Sequence, residues 1–249
     1  SIGEVRITPD IKGKRARVMV FIDNADGTSF EGKISLSAGS FNTSATRRVK
    51  GKTEKVATSS ESAGIVIDYP MGDDPVLWSE FNPALYSLSV TLKGRNGKVL
   101  DTVTEVFGMR EFKASGTRFA VNGIPVFLRG TTECCIFPET GYPPSDEESW
   151  MKVLQACRDY GMNHVRFHSY CPPEAAFDAA DKLGIYFHVE CSSWANQGTA
   201  IGNGGDIDRF IYSEGDRILR EYGNHPSFCM MAYGNEPAGR NQATFLGDL

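Results

Sequence analysis

Along residues 1–108 apolar and polar positions alternate in short runs, and almost nothing recurs at helical spacing. Runs rich in β-branched residues, such as Arg17–Ile22, Lys33–Ser37, Gly64–Tyr69, Tyr86–Leu92 and Val99–Phe107, are separated by turn signals like Asp26-Gly27 and Asn96-Gly97. In Ile65-Val66-Ile67-Asp68-Tyr69 and in Tyr86 to Leu92 the odd-spaced apolar residues would face a core and the even ones mostly water. This pattern predicts an antiparallel sandwich of about seven strands and ~100 residues, the size of an immunoglobulin-like domain. The cysteine pair of antibody domains is absent, so only the architecture is expected.

From Arg110 the pattern changes. Phe119 to Leu128 reads as a hairpin turning at Asn122-Gly123 and leading into a first strand that ends near Arg129-Gly130. Ser145 with Glu148 makes a capping box for a helix on which Trp150, Val153, Leu154 and Cys157 recur, and Gly161 stands where a C-terminal cap belongs. Strands at 163–167 and 185–189 then alternate with helices at 174–183 and 206–222, the latter closed by Gly223. The last strand, Ser227 to Tyr233, is an uncharged run of the kind buried on both faces of a parallel sheet. Strand and helix alternating with right-handed crossovers imply a parallel sheet of four strands and three helices.

Each of these strands hands over to polar residues at its C-terminal end. Arg166 and His168 stand there on strand two, His188 and Glu190 on strand three, and Asn235 and Glu236 after strand four. Parallel α/β folds place their chemistry at these ends, and in a (β/α)₈ barrel they converge on one mouth. Glu236 is therefore the leading catalytic candidate. Arg166 and Glu190 read either as site residues or as a structural ion pair, and His168 as a donor to substrate or to backbone. Trp194 and Tyr170 are loop aromatics suited to stacking on sugar C–H faces or to plain packing. Trp78 and Trp150 read as core, and His164 and His225, at the opposite strand ends, as structural.

Composition narrows the function classes. The 249 residues carry 41% hydrophobic and 23% charged side chains, and no apolar run approaches the roughly 18 residues of a membrane span, so no membrane partner is expected. The net charge of −5 is uneven: residues 111–249 hold 11 basic and 18 acidic groups, which repels phosphate backbones and excludes nucleic acid as the expected partner. Six cysteines show no CxxC pair or zinc spacing and leave the redox compartment open. Gly202, Gly204 and Gly205 lack phosphate-loop spacing and read as a loop entering a helix.

Several segments resemble glycoside hydrolase family 2, the β-galactosidases, β-glucuronidases and β-mannosidases. Trp78-Ser79, Asn82-Pro83 and Leu85-Tyr86 are similar to the family's WSPENPYLY segment, and Phe107-Gly108-Met109-Arg110 to its FGxR junction. FAVNGIPVFLRG, from Phe119, is similar to the entry into its barrel, and Asn224-His225-Pro226-Ser227 with Gly234-Asn235-Glu236 to its NHPSI…GNE signature. The resemblance implies that Glu236 is a general acid/base and that Asn235 hydrogen-bonds the sugar 2-hydroxyl, with Arg166 carried over and the histidine one position early, at His168. It places the nucleophile on a later strand, beyond Leu249. Glu190 matches a carboxylate that helps hold magnesium in some members, but Ser192 stands where a second ligand would be wanted, so magnesium stays open without being assigned and no other cofactor is expected.

The expectation is thus multi-domain: an all-β immunoglobulin-like sandwich at 1–108, then at 109–249 the first four strands of an α/β TIM-barrel. Its function would be that of a retaining β-glycosidase acting on a carbohydrate substrate, with Glu236 catalytic and Asn235, Arg166, His168, Glu190 and Trp194 substrate-binding. Association of copies through open barrel edges is a further expectation. The alternatives are a non-catalytic carbohydrate-binding or interaction module, and a metal-dependent hydrolase in which His168, His188 and Glu190 converge.

Overall fold

In the computed structural model, which describes residues 1–23, 29–58 and 64–248, the alternating pattern of the first part folds into two antiparallel sheets. One sheet has the order β1 (Ile2–Asp10), β2 (Arg15–Ile22), β5 (Gly64–Pro70). The other has the order β4 (Arg48–Thr58), β3 (Phe30–Phe41), β8 (Leu85–Gly94), β9 (Val99–Phe107). Val18 and Val20 from the first sheet and Ile34, Leu36, Tyr86, Leu88, Val90 and Leu92 from the second are buried in one shared core. Ser87, Ser89 and Thr91 alternate with these residues and stay partly exposed, as a period of two requires. The Asp26-Gly27 turn signal lies outside the described residues.

A two-residue pair, β6 (Trp78–Ser79) with β7 (Asn82–Pro83), precedes β8, and Trp78 is fully buried. After β9 comes a small sheet of β10 (Phe112–Ser115), β11 (Arg118–Val121) and β12 (Ile124–Val126). The β11–β12 turn has positive φ at Asn122 (53°) and at Gly123 (81°), the two left-handed residues that a tight primed hairpin turn needs. Asn122 Nδ2 also donates to the Trp78 carbonyl at 3.0 Å. The chain divides into two compact units, Ser1–Val126 and Phe127–Leu249.

The second unit is a four-stranded parallel sheet in the order β13 (Gly130–Glu133), β14 (His164–Phe167), β15 (Tyr186–Glu190), β16 (Phe228–Ala232). Between the strands run α1 (Glu147–Asp159), α2 (Glu174–Leu183) and α3 (Asp206–Tyr222), and α4 (Gln242–Asp248) follows β16. Val165, Phe167, Phe187 and Val189 form one buried cluster with Trp150 and Leu154 of α1, Phe177 of α2, and Ile211 and Ile218 of α3. Each fully buried aromatic or aliphatic side chain there contributes about 1.5–3 kcal/mol. The alternate strand positions, His164, Arg166, His188 and Glu190, belong to the other face.

Four sequence expectations are corrected here. The first parallel strand begins at Gly130 rather than ending near it: Ile124 to Val126 is a hairpin arm, Phe127 is 78% exposed, and the strand itself reads Gly-Thr-Thr-Glu at the sheet edge. The α1 N-cap is Asp146, not Ser145, because the Asp146 carboxylate accepts the Ser149 N–H at 2.8 Å. At the other end of α1 Gly161 does cap, with φ 77° and the Met162 N–H bonded to the Cys157 carbonyl at 2.9 Å. β16 is half-buried rather than buried on both faces, since among the described residues it pairs only with β15. The fourth correction is α4, which the sequence pattern did not predict.

Candidate functional site

The loops after β15 and β16 are joined by backbone hydrogen bonds, and this join assembles the site. The Asn235 N–H donates to the Ser193 carbonyl at 2.8 Å, the Asn196 N–H donates to the Glu236 carbonyl at 3.1 Å, and Trp194 and Asn235 form a parallel bridge between them. The approach is so close that a Cβ at Gly234, where φ is 138°, would lie 2.3 Å from the Ser193 carbonyl oxygen, so glycine is required there. Farther along, both oxygens of Asp208, near the start of α3, accept backbone N–H groups of Gly202 and Gly204 at 2.8 and 2.7 Å. The glycine-rich stretch is thereby tied to its helix.

Arg166 links three strand ends. Its Nε donates to Glu190 Oε1 at 2.8 Å, Nη2 lies 2.6 Å from the same oxygen, and Nη2 also donates to Asn235 Oδ1 at 2.8 Å. The other carboxylate oxygen of Glu190 accepts the Ser169 N–H at 2.6 Å, from a residue held at φ 63°. Glu190, 1% exposed, therefore has both oxygens satisfied, as a buried charge requires. An arginine only donates, so the Asn235 atom facing it must be the carbonyl oxygen, which leaves the Nδ2 amide group as the part that can donate to a bound molecule.

Glu236 sits beside this network in a left-handed backbone conformation, φ 44°, a strained state for a non-glycine residue that costs of order 1–3 kcal/mol. Its Oε2 accepts two hydrogen bonds, from Trp194 Nε1 at 2.7 Å and from Asn196 Nδ2 at 3.1 Å. These donors, Trp194 first and Asn196 second, hold the carboxyl below the usual carboxylate range against the opposing effect of desolvation, and the charge of nearby His168 acts in the same direction as the donors. The His168 ring packs edge-on against Trp194 with centroids 4.6 Å apart, and its Nδ1 lies 3.2 Å from Ser169 Oγ.

The residues singled out in the sequence thus gather in two adjoining groups. Arg166, Glu190 and Asn235 form one; His168, Trp194 and Glu236 form the other. His188 neighbours Glu190 and Arg166 on the same sheet face, and its ring is stacked 6.3 Å from that of His164, whose Nδ1–H donates to the Tyr186 carbonyl at 2.9 Å. Burial pushes both imidazoles below the usual histidine value. His225 pairs with Asp181 at the opposite strand ends. Glu190 is held by Arg166 and Ser169, and His168, His188 and Glu190 do not form a metal-binding group among the described residues. Tyr170 has a buried hydroxyl with no partner in this structure, and Phe167 meets its ring edge-on, which is the packing alternative. Sequence reasoning missed Asn196 and Ser169, one a loop amide and the other a backbone donor, neither of which carries a periodic or motif signal.

Residues 1–110 match the profile of Glycosyl hydrolases family 2. The chain is 28% identical over 166 residues to a β-galactosidase of Lactococcus lactis, covering 66% of this chain and 16% of that protein. It is 32% identical over 165 residues to a putative β-glucuronidase of Formosa agariphila, covering 66% of this chain and 19% of that protein. Among solved structures, a family 2 β-galacturonidase from Eisenbergiella tayi aligns with TM-score 0.81 at 19% identity, over 99% of this chain and 43% of its own. A β-glucuronidase from Parabacteroides merdae aligns with TM-score 0.73 at 22% identity, over 95% of this chain and 28% of its own. These two likenesses show a shared fold, and the chain spans less than a fifth of either curated relative.

Proposed function

We propose that the chain is a member of glycosyl hydrolases family 2, whose profile residues 1–110 match, and that it carries the acid/base half of a retaining β-glycosidase site. In this reading the two-sheet unit is an immunoglobulin-like sandwich, and the four parallel strands are the first half of a (β/α)₈ barrel whose mouth is lined by Arg166, Glu190, Asn235 and Glu236. The observation that carries it is the pairing at the end of β16. An exposed carboxylate and an amide stand side by side there, and Arg166 turns the amide so that its donor end is available.

Glycoside cleavage with retention needs an acid that protonates the leaving oxygen and a nucleophile about 5–5.5 Å from it. Glu236 takes the first role and returns as base when water attacks. Asn235 Nδ2 donates to the sugar 2-hydroxyl, a contact that strengthens as positive charge develops on the ring. Glu190, held by Arg166 and Ser169, orients the asparagine through the arginine rather than attacking. The nucleophile then belongs to the part of the relatives' length that this chain does not span. The substrate is a β-glycoside.

The reading is tested in a longer protein containing this chain by comparing Glu236→Gln on glycosides with poor and with activated aryl leaving groups. An acid matters most when the leaving oxygen needs a proton, so the loss should be far greater on the poor leaving groups. Equal losses on both would reject the assignment.

A further inference from the structure

We propose that Trp194 and Asn196 are positioning residues that clamp one oxygen of Glu236, so that the proton it carries resides on Oε1 and on no other atom. The inference rests on the acid/base reading of Glu236 given above and adds which oxygen does the work and what enforces it.

Both donors converge on the same atom. Trp194 Nε1–H reaches Oε2 at 2.7 Å and Asn196 Nδ2 reaches it at 3.1 Å. A carboxylate oxygen already accepting two N–H bonds would have to give one up to take a proton, so protonation is directed to the other oxygen. Neither donor assignment depends on an amide flip, because a carboxylate can only accept and the indole nitrogen can only donate. The backbone enforces the same geometry: the Asn196 N–H is bonded to the Glu236 carbonyl, and Trp194 bridges to Asn235. The indole is held in turn by the edge-on His168 ring, with centroids 4.6 Å apart. Trp194, 41% exposed, would otherwise read as a sugar-stacking aromatic, but its polar edge is committed to the carboxylate.

The charged and titratable groups around this carboxylate come from three strand ends. His168 follows β14 and favours the anion. Glu190 of β15 is neutralised by Arg166, whose other contact is Asn235, the neighbour of Glu236. The clamp therefore favours the ionised form, the state needed when Glu236 acts as base, and it fixes Oε1 as the atom that delivers the proton when it acts as acid.

The test is the titration of Glu236 in this chain, followed by ¹³C NMR of labelled glutamate carboxyls, with the resonance identified by its loss in Glu236→Gln. Trp194→Phe keeps an aromatic ring against His168 and removes only the indole donor; Asn196→Ala removes the amide. The expected result is that Glu236 titrates at higher pH in each variant and highest in the double variant, while the other resolved glutamates do not move. In the unmodified chain, Trp194 fluorescence should change at the same pH as the Glu236 resonance, and this change should vanish in Glu236→Gln. An unchanged Glu236 titration in both single variants overturns the clamp. If the titration moves as expected and the longer protein shows no glycosidase activity, the clamp stands and the acid/base reading falls.

Discussion

Arg166 and Asn235, 69 residues apart in sequence, meet through an Nη2 to Oδ1 hydrogen bond of 2.8 Å, and the same guanidinium neutralises the buried carboxylate of Glu190. One side chain thus satisfies a buried charge and aims an amide. Removing it as Arg166→Leu leaves the buried Glu190 carboxyl without its cationic partner, at a cost of about 3–5 kcal/mol to folding. Arg166→Lys should recover part of that stability but not the orientation of Asn235, because a point-charge ammonium cannot serve both partners as a planar fork does. Urea denaturation reads the first effect, and the Asn235 side-chain amide resonances read the second. Equal stability of Arg166→Leu and the unmodified chain would remove Arg166 from this role.

Asn235→Ala, in the longer protein proposed above, should lower kcat/KM by about 2–4 kcal/mol of transition-state stabilisation, the scale of losing one preorganised donor. The matching control is a substrate lacking the 2-hydroxyl. Asn235→Ala should add little to the loss already caused by that deletion. If it lowers turnover of the 2-deoxy substrate as much as that of the full sugar, the proposed contact does not exist.

How far these elements are legible in the sequence depends on whether a local signal survives. The α2 and α3 boundaries are readable because an amphipathic period is punctuated by Pro172-Pro173, Gly184 and Gly223. The Asn122-Gly123 hairpin is readable because few residue pairs tolerate its backbone. β13 is not, since a polar edge strand of four residues has no alternating apolar face. β4 is obscured in the same way, carrying four lysines and arginines in an edge strand that, among the described residues, pairs only with β3. The polar strand ends of β14, β15 and β16 were visible as candidates, but which of them touch was not. Whether Trp194 stacks on a ligand or donates to Glu236 is decided by a contact spanning 42 residues.

Asp181 and His225 supply a pH-dependent contribution to stability. The Asp181 carboxylate, buried in α2, accepts from His225 Nδ1 at 2.7 Å and from the Ser227 N–H at 2.9 Å, tying that helix to the start of β16. Burial alone would lower the His225 pKa, but the charge and hydrogen bond of Asp181, with Asp178 and Glu174 nearby, outweigh it and raise the pKa above the usual histidine value. A histidine whose folded pKa is raised contributes stability that is full below its unfolded value of about 6.5 and is lost as pH rises through the folded value. Denaturation midpoints should therefore fall as pH is raised from about 6, and His225→Gln should flatten that slope. Asp181→Ala should cost roughly 3 kcal/mol, because it strands a buried imidazole donor and a buried backbone N–H. A midpoint that rises with pH through this range would contradict the pair's sign.

The parallel sheet is the part of the chain most prone to association. Among the described residues β13 pairs only with β14 and β16 only with β15, so each is an outer strand with a strand neighbour on one side. The residues of β16, Phe228 to Ala232, are all half-buried, and Phe127 and Ile136 in the same unit are 78% and 74% exposed. Open strand edges beside apolar surface template pairing with another chain. The two-sheet unit has its inward residues buried in a core of its own and should be the more independent part. Sedimentation of the purified chain should accordingly show self-association that increases with concentration, and a sandwich fragment ending at Val126 should sediment as a monomer. The chain should also fail to hydrolyse aryl glycosides, because Glu236 is the only carboxylate proposed for the reaction that it supplies. A stable monomer at high concentration would refute the edge argument, and turnover that Glu236→Gln abolishes would show that a nucleophile lies within these residues after all.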